Sequence, residues 1–119
     1  MKTPVSRVFG NAVDASSDTR GWFLGHFMPS AHAGLRTPDV EMKWYVHAKG
    51  ETRDEWAPAI QAKTLNVLIR GEFVLVFPDG EAHLAKEGDF VLFGPDVPHS
   101  YRSLEESLVL TVRWPSGPH

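Results

Sequence analysis

"GDFVLFGPDVPHSYRS", residues 88–103, carries the reading of the fold. A short apolar run, Phe90–Phe93, ends in a Gly-Pro-Asp turn, and Pro98 stands directly before His99. Turn residues bound the run on both sides, so it reads as a β-strand followed by a turn that leads to the histidine.

The rest of the chain has the same grammar. Short apolar runs alternate with turns drawn from 10 glycines and 9 prolines, and convincing helical periodicity is missing. Strands are expected near 21–28, 40–47, 64–70, 72–77, 81–85, 89–93, 99–103 and 107–114. "PDG" at 78–80 reads as a tight hairpin turn and "KEG" at 86–88 as the next turn. A single helical turn is expected over Asp54–Gln61, kept short by Pro58. Residues 1–20 are polar and irregular and read as an N-terminal arm or an edge strand. So many short strands hide their edges by closing on themselves or by stacking as two sheets. The predicted fold is all-β, a small antiparallel β-barrel or jelly roll.

Composition narrows the function classes. A chain of 119 residues suits one domain with one core, and any chemistry must sit on that single fold. The net charge is -3, with lysine and arginine scattered rather than clustered, which argues against a nucleic-acid partner. Cysteine is absent, so there is no disulfide, zinc-thiolate site or cysteine nucleophile. No apolar block of a signal peptide and no membrane-spanning run is visible, and a cytoplasmic protein is the expectation. No serine stands in a nucleophile-elbow pattern, and no glycine cluster has the context of a phosphate loop.

Residues 88–103 resemble the second conserved motif of the cupin superfamily: a glycine, an apolar strand, a proline turn and a histidine. Gly88, Gly94–Asp96 and His99 occupy those places, and Ser103 stands where the motif has asparagine. Gly50 and Gly71, the latter in "VLIRGEF", match the opening and closing glycines of the first cupin motif. The resemblance covers roughly residues 40–114 and implies a cupin barrel over 21–119. "VEMKWYVHAKGETRDEW", "TLNVLIRGEF" and "VRWPS" further resemble a group of small, stand-alone bacterial cupins. Between the glycines this chain departs from the motif. The two histidine places fall on Trp56 and Pro58 and the glutamate place on Thr64, and 56–64 contains no His, Asp or Glu. The usual cupin metal site is therefore missing by sequence, and no cofactor is predicted. A divalent metal would need a non-standard set such as His47 and His99 with Glu41 or a water.

Alternation divides 40–47 into Glu41, Lys43, Tyr45 and His47 on one face and Met42, Trp44 and Val46 on the other. Two readings stand. The cupin comparison turns the polar set inward, giving a pocket lined by Lys43, Tyr45, His47, Asn66, His99 and Tyr101. Ordinary amphipathic alternation instead leaves those charges in water. In the first reading Glu41 partners a buried Lys43, and Trp56 plugs the space a metal would have filled. His99 then acts as an acid or base, an anion donor or a lone ligand; otherwise it is structural. Arg113 reads first as a surface residue on an edge strand and second as a clamp for an anion. His26, His32, His83 and His119 receive no role.

Two function classes follow, beside a blander third, a structural or regulatory module with a vestigial pocket. The first is a metal-independent binder of a small polar or anionic metabolite. The second is an enzyme, an isomerase, lyase or oxygenase, with a non-standard metal site or an acid–base set drawn from His99, Tyr101 and Lys43. A homodimer is implied by the resemblance, with Met42, Trp44, Val46, Val67 and Ile69 supplying apolar surface.

Overall fold

The computed structural model describes residues 7–58 and 60–117. The start of the predicted arm and His119 lie outside them. The strands are β1 (Trp22–Leu24), β2 (Glu41–His47), β3 (Lys63–Arg70), β4 (Phe73–Phe77), β5 (Gly80–Leu84), β6 (Phe90–Phe93), β7 (Ser100–Ser103) and β8 (Ser107–Trp114). They form two antiparallel sheets, one ordered β1-β2-β8-β3-β6 and the other β5-β4-β7. This is the two-sheet jelly roll that the sequence predicts. No helix of the described residues is long and apolar enough to cross a membrane.

Three local expectations are corrected. The strand predicted over 21–28 has three residues, because the chain leaves the sheet at Gly25, whose N–H bonds to the Leu35 carbonyl at 3.1 Å. The irregular arm contains a helical turn, α1 (Ala12–Ala15), capped by the Asn11 side chain, which accepts from the N–H groups of Val13 and Asp14. No helix forms over the described part of 54–61. Residues 50–57 run beside β7 instead, and the N–H groups of Gly50, Arg53 and Ala57 bond to the carbonyls of Ser103, Tyr101 and His99. The Ala57 N–H is committed to the β7 side and Pro58 has none, so the first helical hydrogen bonds of this segment are denied.

Gly71 makes the tight passage from β3 to β4. Its φ is +103°, and a Cβ there would lie 2.4 Å from the Glu106 carbonyl oxygen. Only glycine combines that backbone with that approach. Between the sheets, Leu68, Phe73, Leu75, Leu84 and Val109 form the buried core. Each contributes about 1.5–3 kcal/mol by leaving water.

The two faces of the larger sheet differ. Glu41 and His47 are 3% and 7% exposed, whereas Val46 between them is 44% exposed. The polar set of β2 therefore turns inward. Pairing aligns Glu41–Arg113–Thr64 and Lys43–Thr111–Asn66 as two polar rows across β2, β8 and β3. The outward rows are apolar: Met42–Val112–Leu65–Leu92 and Trp44–Leu110–Val67–Phe90.

Candidate functional site

A cavity of about 90 Å³ lies between the sheets at the end of the apolar core. The large sheet supplies Lys43, His47, Thr64, Asn66, Val109, Thr111 and Arg113 to its wall, and the opposite side supplies Phe73, Leu75, His99 and Tyr101. Trp22 of β1 and Arg53 of the segment beside β7 complete the lining. Five of the six predicted pocket residues thus meet in one space. The sixth, Tyr45, does not line the cavity: its ring lies 4.8 Å from that of His47, and the Lys43 ammonium sits 4.4 Å above it.

Arg113 corrects the sequence reading most sharply. β8 is a central strand, not an edge, and pairs β2 on one side and β3 on the other. Its inward parity carries the guanidinium into the cavity. Nη1 donates to Glu41 Oε2 at 3.4 Å, and the ring of Trp22 lies 4.8 Å from the guanidinium carbon. The Ser116 hydroxyl donates to Glu41 Oε1 at 3.1 Å, and His26 Nδ1 bonds to Ser116 Oγ at 2.7 Å. Glu41 therefore takes Arg113 and Ser116 as partners, whereas the predicted Lys43 lies over the rings of Tyr45 and Trp22. Among the described residues, Arg113 Nε is buried without a hydrogen-bond partner, and so is Thr64 Oγ1 on the paired residue of β3. Two adjacent buried donors without acceptors are costly in a native fold.

Asn66 stands next along β3. Its Oδ1 accepts from the Thr111 hydroxyl at 2.8 Å, which leaves its amide N–H groups free for the cavity. His99 Nδ1–H donates to the Val97 carbonyl at 3.3 Å, so Nε2 carries the lone pair. Burial, with Arg113 and Arg53 nearby, holds His99 below its ordinary pKa. Burial likewise lowers Lys43, and Arg113 lowers it further.

The other end of the cavity holds a separate cluster. His47 Nδ1–H donates to Glu51 Oε2 at 2.5 Å, and the Tyr101 hydroxyl donates to the same oxygen at 2.8 Å. Burial pushes His47 below its ordinary value despite Glu51. Burial would raise Glu51, but the hydrogen bonds from His47 and Tyr101 hold it below the usual carboxylate range. Burial and the Glu51 carboxylate push Tyr101 up to about 12.

Trp56 is not a plug. It is 48% exposed and shares a shallow surface hollow with Arg102 and Val76 on the outer side of the small sheet. The ladder with β7 explains this: Glu51, Arg53 and Ala57 share the inward parity, and Trp56 takes the outward one. Sequence reasoning missed Glu51, Arg53 and Trp22. The signal for the first two was their alternation after Gly50, obscured by the helical turn expected there.

No family model and no curated protein matches the sequence. Solved structures do. A cupin superfamily protein from Desulfitobacterium hafniense superposes with a TM-score of 0.60 at 20% identity, over 66% of this chain and 70% of that one. The chain has the cupin fold. An RmlC-like cupin from Desulfovibrio desulfuricans gives a TM-score of 0.56 at 21% identity, over 67% of this chain and 76% of that one. A conserved protein of unknown function from Streptococcus pyogenes gives 0.60 at 14% identity, over 71% of each chain. Such distant likeness speaks for the fold alone.

The metal associated with cupins does not fit the residues found here. Thr64 replaces the carboxylate, Trp56 points away, and Pro58 offers no donor. Among the described residues, no three His, Cys, Asp or Glu gather as a metal-binding group. The cupin cavity of this chain presents hydrogen-bond donors and cations instead.

Proposed function

We propose that this cupin binds a small carboxylate in the cavity between its sheets, independently of a metal. The observation that carries the reading is the pairing of Arg113 and Thr64. With Nη1 on Glu41, the guanidinium offers its Nε–Nη2 edge, and its Nε and the neighbouring Thr64 hydroxyl both lack a partner. A planar fork with an adjacent hydroxyl matches a carboxylate, which accepts two parallel N–H bonds and has lone pairs to spare. Lys43, Arg53 and Arg113 line the same cavity, so the local field favours an anion. The cavity is small, about 90 Å³, which suits a small acid rather than a bulky ligand.

Calorimetric titration with pyruvate, in the presence of a chelator, tests this. Binding is expected in wild type. Arg113→Lys keeps the charge but loses the fork, and its affinity should fall roughly 10–100-fold, as for loss of a charge-assisted hydrogen bond. Binding that vanishes with the chelator, or that Arg113→Lys leaves unchanged, contradicts the reading. Sulfate bound as tightly as pyruvate would replace a carboxylate site with a general oxyanion site.

A further inference from the structure

The carboxylate edge is only one part of the cavity's chemistry. Beside it stand a free amide donor and a neutral base, in an order set by the sheet. The row Arg113–Thr64 lies two residues along the strands from the row Lys43–Thr111–Asn66, about 7 Å at the usual rise. Asn66 Oδ1 is committed to Thr111, so its N–H groups are free to donate to the occupant. The Lys43 ammonium adds a positive charge on the same row. His99 lines the cavity, and its Nδ1–H is committed to Val97. Among the described residues its Nε2 has no hydrogen-bond partner, and with Nδ1 protonated it carries the lone pair.

We infer that the cavity is a proton-transfer centre for a small 2-oxo carboxylate, with His99 as the base. This rests on the carboxylate reading above. The acid is held by Arg113 and Thr64, and its carbonyl oxygen by the Asn66 amide and the Lys43 ammonium. His99 Nε2 takes a proton from the carbon next to the carbonyl. The C–H electron pair forms the carbon–carbon double bond of an enolate, and the carbonyl π pair moves onto oxygen. The imidazolium then returns a proton, exchanged with solvent, to the same carbon. Nothing is oxidised or reduced, and no co-reactant is consumed. Neutral imidazole is the useful form of such a base, and the burial and nearby guanidinium groups that lower the His99 pKa favour it. Fixed donors aimed at the oxygen where charge develops are the other requirement.

Pyruvate in deuterium oxide is the probe, and loss of its methyl proton signal is the readout. Wild type should accelerate exchange above the buffer rate. His99→Gln should lose 10²-fold or more of the acceleration, the range of a general base, while still binding pyruvate by calorimetry. His99→Ala should regain exchange when imidazole is added. His83→Gln, on the outer strand β5 and paired with Glu72, should exchange like wild type. Pyruvate bound with exchange at the buffer rate overturns the catalytic inference and leaves the binding site standing. Exchange undiminished in His99→Gln, or lost equally in His83→Gln, overturns the role of His99. Absence of pyruvate binding in wild type overturns the carboxylate reading itself.

Discussion

At the scale of single residues, the informative groups are polar atoms that the fold buries without using. Thr64 is 2% exposed, and its hydroxyl has no partner. A core threonine with only a structural task would hydrogen-bond or be valine. Thr64→Val should therefore stabilise the unliganded protein by about 1 kcal/mol, the cost of an unsatisfied buried group, while weakening pyruvate binding. Thermal unfolding with and without pyruvate reads both effects, and a variant less stable than wild type that binds normally would contradict the assignment. The histidines make a second prediction. His47 and His99 are both held below their ordinary value of 6.5, with burial the first cause. The unfolded chain then takes up protons before the folded one does. The stabilisation is complete above about pH 6.5 and is lost as pH falls from there through the folded-state values. The melting temperature should drop across that window, and His99→Gln should flatten the drop. An unchanged pH slope in that variant would show that His99 titrates alike in both states.

At the scale of elements, alternation made most strands legible. The runs 64–70, 72–77 and 107–114 lie within a residue of β3, β4 and β8. The inward turn of β2 was not decidable from alternation alone, because its outward face is the apolar one. A buried outward face and a buried cavity wall leave the same pattern in one strand. The comparison with cupins favoured the inward turn through His47 without deciding it, and the paired rows across β8 and β3 give its physical basis. Arg113 was obscured for a related reason. "TVRW" looks like a strand ending in solvent unless β2 and β3 are known to flank it. Residues 50–57 were hidden more deeply, since their ladder with β7 is irregular and Pro58 interrupts the alternation. Gly71 was legible as a motif position, but the reason lies in tertiary contact. Gly71→Ala should destabilise by more than about 1 kcal/mol, because a left-handed backbone and a carbonyl 2.4 Å from the new Cβ oppose it together. Gly50→Ala also meets a positive φ but open space, and should cost less. Equal losses in chemical denaturation would show that the contact with Glu106 is not what constrains Gly71.

At the scale of the whole molecule, the fold places a polar cavity on one side of the larger sheet and an apolar surface on the other. Phe90 and Leu92, at the β6 edge of that surface, are 65% and 52% exposed. A broad exposed apolar face marks a contact surface in soluble proteins. We therefore predict a homodimer, twice 13.3 kDa by light scattering, with Leu92→Glu shifting it toward the monomer. A wild-type monomer would contradict this. The cavity is the same in either state, because every group lining it comes from one chain. A crystal structure with pyruvate tests most directly whether Arg113 and Thr64 hold a carboxylate, as proposed. The carboxylate should bridge Arg113 Nε and Nη2, with Thr64 Oγ1 about 3 Å away. A pyruvate seated elsewhere with Arg113 Nε still unpaired, or a metal ion held by His47 and His99, would contradict it.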